Sequence, residues 1–310
     1  MTKPLLTKTQ AAAEIRRVLA DFNLTIPFDE EIIVVTKNVV LLGFKSDALS
    51  NALFDFAFPR SFSGTFYHYT SYGGFKGIVS SAKLRLYNLH RRFRSGEYRT
   101  FCRDYNLDGY VRGEPGQQEE GLFSELMDNL FYVSFVDKSD ANSDRLWRTF
   151  ADDHAGVRLT FQITVNPAYP NFRRVSYQNG SQVPILRALQ DAFARYDRHL
   201  VSLGMSRMGG FYQRADFSYQ DEHRLLVKRM PGDPFPFEVI PVKGESYKFI
   251  ECDLQRPSST AFQLKLMEVV SGAGCPLEKV RRYICEHSRF DNLSVSFVGD
   301  TEPPAARVCG

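Results

Sequence analysis

An acidic and polar turn runs directly into an apolar-alternating segment at residues 217–229, FSYQDEHRLLVKR. If a strand begins near Gln220, the period of two places Glu222 and Arg224 on the same face. A guanidinium two residues along that face can hold a buried carboxylate ionised, which predicts a carboxylate site at the mouth of the strand. The alternative is an ion pair that only ties down the edge of a strand.

A second candidate group is an imidazole in TFYHYTSYGGFKGIVSSAKLRLYN, residues 65–88. The pattern predicts a strand at 65–69, a Thr-Ser helix cap, a helix and a second strand. In the first strand His68 shares a face with Thr70, whereas Tyr69 takes the other face. A single histidine in a strand is either a hydrogen-bonded core residue or a functional group, and both interpretations stay open at this point.

A third segment, LFYVSFVD at residues 130–137, has the alternation of a half-buried strand. Its apolar side chains alternate with Tyr132 and Ser134. The polar face of this strand therefore offers an aromatic ring and a hydroxyl group.

Two further segments carry charged groups without a defined arrangement. Residues 89–112 mix arginines with aromatic residues, which suits phosphates and stacked bases as well as an ordinary solvated loop. A later loop offers the carboxylates of a metal-dependent nuclease, from Asp140, Asp144, Asp152 and Asp153. The histidines are scattered and the cysteines unpaired, so a zinc site of sequence-readable spacing is not expected.

The surrounding segments divide between helical and strand patterns. Three-four spacing predicts helices at 8–22, around Trp147, at 182–203, and near 259–271 and 276–288. Alternation predicts a hairpin from the runs EEIIVVT and NVVLLGF, and strands near 157–163, 247–252 and 293–299. Repeated prolines place residues 231–242 at an exposed edge.

Length and composition bound the class of protein. The chain has 310 residues, 43% hydrophobic and 24% charged, so it should bury a large core. A net charge of +3 does not by itself imply a nucleic-acid partner. No apolar run suits a membrane helix and the start lacks a signal peptide, so a cytoplasmic location, or export without a readable signal, is expected. Five cysteines without a Cys-x-x-Cys pair predict reduced thiols.

Five segments together resemble a widespread bacterial family of unknown function whose members look like remote ADP-ribosyltransferases. They are YHYTS at 67–71, LRLYN at 84–88, YVSF at 132–135, RLWRTFADDHAGVRLTF at 145–161 and FSYQDEHRLLV at 217–227. The resemblance runs from about residue 65 to about residue 298. One departure is that RRFRSGE keeps only Glu97 of the Asn-Asp pair and Glu that usually follow the second strand.

The resemblance implies an α+β fold, an ADP-ribosyltransferase-like split β-sheet core with flanking helices and a small N-terminal accessory segment. The expected domains are an accessory helix and hairpin at 1–62, the ADP-ribosyltransferase-like domain at 63–300, and a disordered tail at 301–310. ADP-ribosyltransferases hold NAD in the cleft between two small sheets, so NAD is the expected substrate.

Site residues are implied by the same resemblance. His68 matches the His or Arg of the first strand, Glu222 matches the Glu that starts a late strand, and Tyr132 or Ser134 fills the middle position. Glu222 would stabilise the oxocarbenium ion that develops as the nicotinamide–ribose bond breaks, or hold the ribose hydroxyl. The expected NAD contacts are His68, Tyr69, Thr70, Tyr132, Gln220 and Arg224.

Three hypotheses follow. The first is an enzyme that transfers ADP-ribose from NAD to a protein or nucleic acid, in a bacterial toxin, effector or phage-defence protein. The second is a catalytically inactive module that binds a nucleotide or nucleic acid, and the third is a metal-dependent nuclease. The sequence leaves the acceptor open, with residues 89–112 as the candidate contact to nucleic acid.

Overall fold

The computed structural model describes residues 6–43, 47–89, 100–101, 104–105, 129–137, 143–167, 169, 171–178, 183–202, 204–229, 237–242, 245–256, 261–290 and 293–298. The predictions made for Glu97, for Asp140, for most of residues 89–112 and for the tail at 301–310 lie outside these described residues.

Helices and strands both contribute to the described chain. The helices are α1 (Lys8–Asp21), α2 (Asp47–Ala57), α3 (Tyr72–Ser81), α4 (Ser143–Phe150), α5 (Pro184–Ala194), α6 (Met205–Gly209) and α7 (Leu277–His287). The strands are β1 (Ile33–Val35), β2 (Val39–Leu42), β3 (Gly64–Thr70), β4 (Lys83–Asn88), β5 (Leu130–Val136), β6 (Val157–Val165), β7 (Phe172–Arg174), β8 (Ser176–Gln178), β9 (His199–Ser202), β10 (Tyr212–Arg214), β11 (Glu222–Lys228), β12 (Glu238–Val242), β13 (Glu245–Asp253), β14 (Phe262–Ser271) and β15 (Ser294–Phe297). The predicted mixture of helices and strands is confirmed.

The first of two compact units comprises the described residues of Met1–Arg60, Leu89–Leu130 and Arg173–Phe217. Its helix α1 begins with a capping box, in which Thr7 Oγ1 accepts from the backbone N–H of Gln10 at 3.2 Å and Gln10 Oε1 accepts from that of Thr7 at 2.9 Å. Strands β1 and β2 form the predicted antiparallel hairpin, and β9 joins β2 in parallel. The N-terminal segment thus packs with later residues, and the domain boundaries implied by the resemblance stay predictions.

The second unit comprises the described residues of Ser61–Asn88, Phe131–Phe172 and Ser218–Gly310. Its large sheet has the strand order β12-β13-β4-β5-β3-β6-β14-β15, and β11 is added by pairing with β5. Antiparallel and parallel pairs both occur, so the sheet is mixed. The proline-containing β12 lies at the edge, as its composition predicted.

Strand β5 pairs with three other strands. Near its N-terminal end Tyr132 pairs with Tyr87 of β4, and at its C-terminal end a single pair, Val136 with Tyr67, joins it to β3. Strand β11 is the third partner. A strand has only two edges, so two of these three partner strands must pair with different parts of the same edge of β5. We call the point where β3 leaves β5, beyond the Tyr67–Val136 pair, the fork.

One face of this sheet forms a hydrophobic core. Phe135 of β5 and Leu225 of β11 belong to this core and are fully buried. Since successive side chains point to opposite faces, Ser134 and Arg224 lie on the other face. We call that second face, which carries hydroxyl, carboxylate and guanidinium groups, the polar face.

The predicted helix at 182–203 is wrong beyond Ala194, where α5 ends. Asp197 has a φ of 54°, in the left-handed region, and the chain then continues as β9. Gln190 of α5 fixes this strand, since its side chain donates to Leu200 O at 2.8 Å and accepts from Leu200 N at 3.1 Å. The turn at Asp197 therefore interrupts a three-four pattern that continues in the sequence.

The predicted helix near 259–271 is also wrong, because Phe262–Ser271 form the strand β14. Phe262, Leu264 and Leu266 are buried at alternate positions, and the register then shifts between Leu266 and Glu268. This irregularity adds one residue, so the next core side chain is Val269, three positions after Leu266. A strand with a bulge thereby imitates the spacing of a helix.

Thiols are not all reduced as predicted. Cys252 and Cys275 are buried free thiols, whereas Cys285 takes part in a disulfide bond. The prediction is therefore wrong for Cys285. Burial raises the pKa of the Cys252 thiol to about 12. Among the described residues, no helix combines the length and apolar character needed to cross a membrane.

Gly156 is packed against backbone at the end of β3. A Cβ atom here would overlap the carbonyl oxygen of Thr70 and press on that of Ala151, and backbone cannot move aside as a flexible side chain can. We expect Gly156→Ala to lower the free energy of unfolding by about 1–3 kcal/mol.

Gly77 provides the matched control, because it lies in α3 with no atom close to an added Cβ. Gly77→Ala should raise the free energy of unfolding by about 0.5–1 kcal/mol, since alanine restricts the unfolded chain. Urea denaturation measures both effects, and equal stability of the two variants would contradict the packing described for Gly156.

Candidate functional site

Glu222 is the first residue of β11 and follows a 3-10 helix, Ala215–Gln220. Between them Asp221 has a φ of 40°, a left-handed conformation that aspartate adopts more readily than most residues. This residue turns the chain out of the helix and into the strand. The strand therefore begins at Glu222, and the predicted start near Gln220 is wrong because that residue is helical.

Within the part of the chain that the structure describes, Arg224 and Ser134 hold the Glu222 carboxylate. Arg224 Nε donates to Oε1 at 2.7 Å and Arg224 Nη2 donates to Oε2 at 3.0 Å, which is a bidentate ion pair. Ser134 Oγ donates a further hydrogen bond to Oε1. Glu222 is 2% exposed and Arg224 is 1% exposed, so these charge-assisted bonds offset the cost of burying both charges. The predicted proximity of Arg224 to Glu222 is confirmed.

Ser134 also connects Glu222 to His68. Its backbone carbonyl accepts a hydrogen bond from His68 Nδ1 at 2.9 Å, while its hydroxyl donates to Glu222. A neutral imidazole that donates from Nδ1 keeps Nε2 as an acceptor. Because Ser134 and His68 both lie just beyond the last residue pair between their strands, the fork brings three predicted site residues into one hydrogen-bonded chain.

His68 and Glu222 nevertheless lie on different faces of the sheet. His68 pairs with the core residue Leu159, and its ring centroid is 6.1 Å from that of Phe135. Residues directly opposite in an antiparallel pair share a face, so His68 is on the core side. Glu222 is on the polar face with the Ser134 side chain. Ser134 therefore joins the two groups through its backbone on one side and its hydroxyl on the other.

Burial lowers the pKa of His68 below its ordinary value of 6.5, against the opposing effect of the bond to the Ser134 carbonyl. As the pH falls below about 6.5, the unfolded chain takes up a proton before the folded protein does, so the free energy of unfolding should decrease. We expect His68→Gln to remove this decrease. Urea denaturation between about pH 8 and about pH 5 measures the free energy of unfolding of both proteins. If this free energy changed with pH to the same extent in both, the neutral imidazole would be contradicted.

The tyrosine candidates both lie on the polar face. Tyr132 is 9% exposed, and its ring centroid is 5.6 Å from the guanidinium carbon of Arg224. Tyr69 pairs with Arg158 of β6 and packs edge-to-face on Trp147 of α4, with ring centroids 5.1 Å apart. Tyr132 thus borders the Glu222–Arg224 pair directly, whereas Tyr69 lies across the fork.

The remaining predicted contacts lie at the ends of elements. Thr70 ends β3, and its side chain lies against Gly74 of α3. Gln220 ends the 3-10 helix, is 7% exposed, and its Nε2 lies 3.4 Å from the Tyr219 hydroxyl, a long hydrogen bond. The structure therefore gathers Glu222, Arg224, Ser134, Tyr132 and His68, and places Thr70 toward a helix.

No group of three or more His, Cys, Asp or Glu side chains is arranged to hold a metal ion in the described part of the chain. Of the carboxylates considered for a nuclease, Asp144 pairs with Arg148 at 3.0 Å and with His154 Nε2 at 3.2 Å. Asp152 and Asp153 have left-handed backbone conformations in the turn after α4.

Two arginines beside this site were not among the sequence candidates. The guanidinium carbon of Arg158 lies 4.5 Å from the ring centroid of Tyr67, and that of Arg145 lies 3.6 Å from the ring centroid of Tyr219. The available signal was the alternation of Arg158 with apolar neighbours in β6, which any half-exposed strand shows. Contacts with aromatic rings distant in sequence cannot be inferred from spacing.

Comparisons of the chain with protein-family models, curated proteins and solved structures give no significant match. The described residues establish a mixed fold with a large mixed sheet, and the ADP-ribosyltransferase-like architecture stays a prediction. A function is therefore inferred from the contacts of the site itself.

Proposed function

We propose that this protein binds NAD beside the fork and transfers ADP-ribose to a macromolecular acceptor, with Glu222 at the reacting ribose. The observation that carries this proposal is the fixed carboxylate of Glu222, bonded to Arg224 and Ser134 at the first residue of a strand. A Glu in that position is what the resemblance implies. Ser134 is also bonded to His68, so three motif residues converge although they are distant in sequence.

The chemistry requires stabilisation of positive charge. When the bond between nicotinamide and ribose breaks, its electron pair leaves with nicotinamide and the ribose becomes an oxocarbenium ion. An oriented carboxylate stabilises that ion without reorganising during the reaction. A nucleophile of the acceptor then bonds to the ribose carbon and loses its proton. Arg224 fixes the direction of Glu222 throughout because it holds both carboxylate oxygens.

Burial of Glu222 determines how the ribose reaches it. Only 2% of Glu222 is exposed, so a ribose hydroxyl must displace one of its present hydrogen-bond partners. The Ser134 hydroxyl is the partner most readily replaced, because a ribose hydroxyl can donate to the same oxygen in its place. Arg224 then keeps the carboxylate paired. In this proposal, NAD exchanges one neutral hydrogen bond and leaves the ion pair intact.

The tyrosines would complete the contacts to NAD, and His68 would position Ser134. In this proposal His68, which lies on the core side of the sheet, positions Ser134 through its bond to the backbone carbonyl, and Ser134 in turn bonds Glu222. Tyr132, which already packs beside Arg224, offers an aromatic ring to nicotinamide, and Tyr69 offers one across the fork. These roles extend the resemblance to residues that lie near the carboxylate.

Pairing between the strands supports the same proposal. Strands β3 and β6 share seven residue pairs from Gly64 to Thr70, whereas β3 and β5 share the single pair Tyr67–Val136. The sheet is thus weakly joined at the fork. A split β core is what the resemblance implies for an ADP-ribosyltransferase.

The deciding experiment mixes purified protein with NAD labelled in its adenylate part and with bacterial lysate. Release of nicotinamide together with label on a macromolecule supports the proposal. A second candidate is the inactive nucleotide-binding module, which is favoured by the near-complete burial of Glu222 and Arg224. Binding of NAD without release of nicotinamide, in any lysate tested, would select that candidate.

A further inference from the structure

Arg145 and Arg158 differ from Arg224 in having no carboxylate partner among the residues that the structure describes. Arg158 is half-buried in β6, and its Nε is buried without a hydrogen-bond acceptor. Arg145 is exposed on α4. A partly buried cation without a counter-charge is unfavourable, so an anion beside Arg158 would satisfy a group that the protein leaves unpaired.

Each guanidinium is supported by a tyrosine ring. Arg158 lies over Tyr67 at 4.5 Å and Arg145 over Tyr219 at 3.6 Å, measured from the guanidinium carbon to the ring centroid. A ring attracts the guanidinium and fixes its plane, while the nitrogens at its edge remain able to donate. Two fixed planes of this kind are suited to oxyanions, which guanidinium binds through two parallel hydrogen bonds.

The pairing register of the strands places Arg158 at the level of Ser134, the residue whose hydroxyl contacts Glu222. Arg158 pairs with Tyr69 of β3. Tyr69 lies two residues after Tyr67, and Ser134 lies two residues before Val136, the partner of Tyr67. Tyr69 and Ser134 are therefore at the same level on either side of the fork. Ser134 in turn contacts Glu222.

Helix α4 brings Arg145 to the same region. Trp147, two residues after Arg145, packs on Tyr69, and Tyr219 lies three residues before Glu222. Arg145 is therefore in contact with a residue close to Glu222 in the chain, and Arg158 is in contact with Tyr67, whose strand pair with Val136 marks the fork. Arg224 cannot serve as an anion site, because its guanidinium is committed to Glu222.

The carboxylate that lies diagonal to Arg158 on the polar face belongs to Glu268 of β14. It accepts hydrogen bonds from Thr160 at 3.0 Å and from Ser296 at 2.8 Å. These hydroxyl groups satisfy Glu268, and it forms no ion pair with Arg158. The positive charge of Arg158 is accordingly available to a ligand.

We propose that Arg158 and Arg145 bind the diphosphate of the nucleotide whose ribose lies at Glu222. This assignment rests on the proposed function for its choice of ligand, since the diphosphate of NAD follows directly on the reacting ribose. In this proposal the two guanidinium groups bind the phosphates while Glu222 contacts the ribose.

The test measures binding of ADP, of adenosine and of NAD by calorimetry to the full chain and to Arg158→Gln and Arg145→Gln. We expect each substitution to weaken ADP and NAD binding about tenfold and to leave adenosine binding unchanged, because a charge-assisted bond is lost only where a phosphate is present. Arg148→Gln is the matched control, being on the same helix but paired with Asp144. Circular dichroism establishes that each variant is folded.

The outcomes separate this inference from the proposed function. Weakened ADP binding in Arg158→Gln and Arg145→Gln, without any cleavage of NAD, would support the diphosphate site and reject the transferase. Cleavage of NAD with an unchanged KM in both variants would support the transferase and overturn the diphosphate site. An equal loss in Arg148→Gln would also overturn it, since the effect would then reflect net charge alone.

Discussion

Glu222→Gln is expected to slow the release of nicotinamide from NAD by about 10²–10³-fold, the usual loss when one fixed electrostatic group is removed from the transition state. Glutamine keeps one oxygen that can accept from Arg224 Nε and from Ser134, and it is close to glutamate in size, but it loses the bond from Arg224 Nη2. It lacks the negative charge that stabilises the oxocarbenium ion. The rate of nicotinamide release at saturating NAD, measured by chromatography, tests this expectation.

Glu268→Gln is the matched control for this prediction. Glu268 lies in the same unit and also accepts hydrogen bonds from two side chains, Thr160 and Ser296, but it is on β14, away from the fork. Its substitution should leave nicotinamide release at saturating NAD within about twofold of the unmodified protein, as expected for a half-buried group that does not contact the reacting ribose. Equal rates for Glu222→Gln and the unmodified protein would show that this carboxylate has only a structural role.

The sequence could predict the Glu222–Arg224 pair because both residues lie on one strand. A period of two places them on the same face whatever the rest of the fold does, and the observed bidentate bond follows from that local geometry. The contact with Ser134 could not be predicted in this way. It depends on β5 lying beside β11, which is a pairing between segments far apart in the chain.

His68 shows a second limit of local patterns. Its place on a strand at 65–69 was predicted, and β3 runs from Gly64 to Thr70. Which face it occupies relative to Glu222 depends on the register of β3 with β6 and of β5 with β3. That register puts His68 with the core residue Leu159, so the link to the carboxylate passes through Ser134. The resemblance implied only that His68 and Glu222 both act on the same NAD molecule.

The prediction of helix or strand failed where one irregular residue changed the spacing of the buried side chains. In β14 the shift after Leu266 moves the next core residue to Val269, and in the segment after α5 the left-handed Asp197 ends a helix without a glycine. Both features alter the backbone without a marked change in composition. Hydrophobic spacing reports which residues are buried, and it indicates helix or strand only where the backbone is regular.

Arg224→Met is expected to lower the free energy of unfolding by about 3–5 kcal/mol, because it leaves the Glu222 carboxylate buried without its ion-pair partner. Methionine preserves much of the volume of the arginine stem, so the loss reflects charge more than packing. Urea denaturation at neutral pH measures the change. A loss below about 1 kcal/mol would mean that Glu222 already reaches water in solution, as an exposed ion pair would.

The double variant Glu222→Gln with Arg224→Met separates stability from chemistry. Removing both charges should recover most of the stability lost in Arg224→Met, since no unpaired charge then remains in the interior. If Glu222 acts on ribose, this stable double variant should still release nicotinamide no faster than Glu222→Gln. A double variant that recovers both stability and nicotinamide release would show that the pair only fixes the strand, and that any cleavage of NAD depends on other residues.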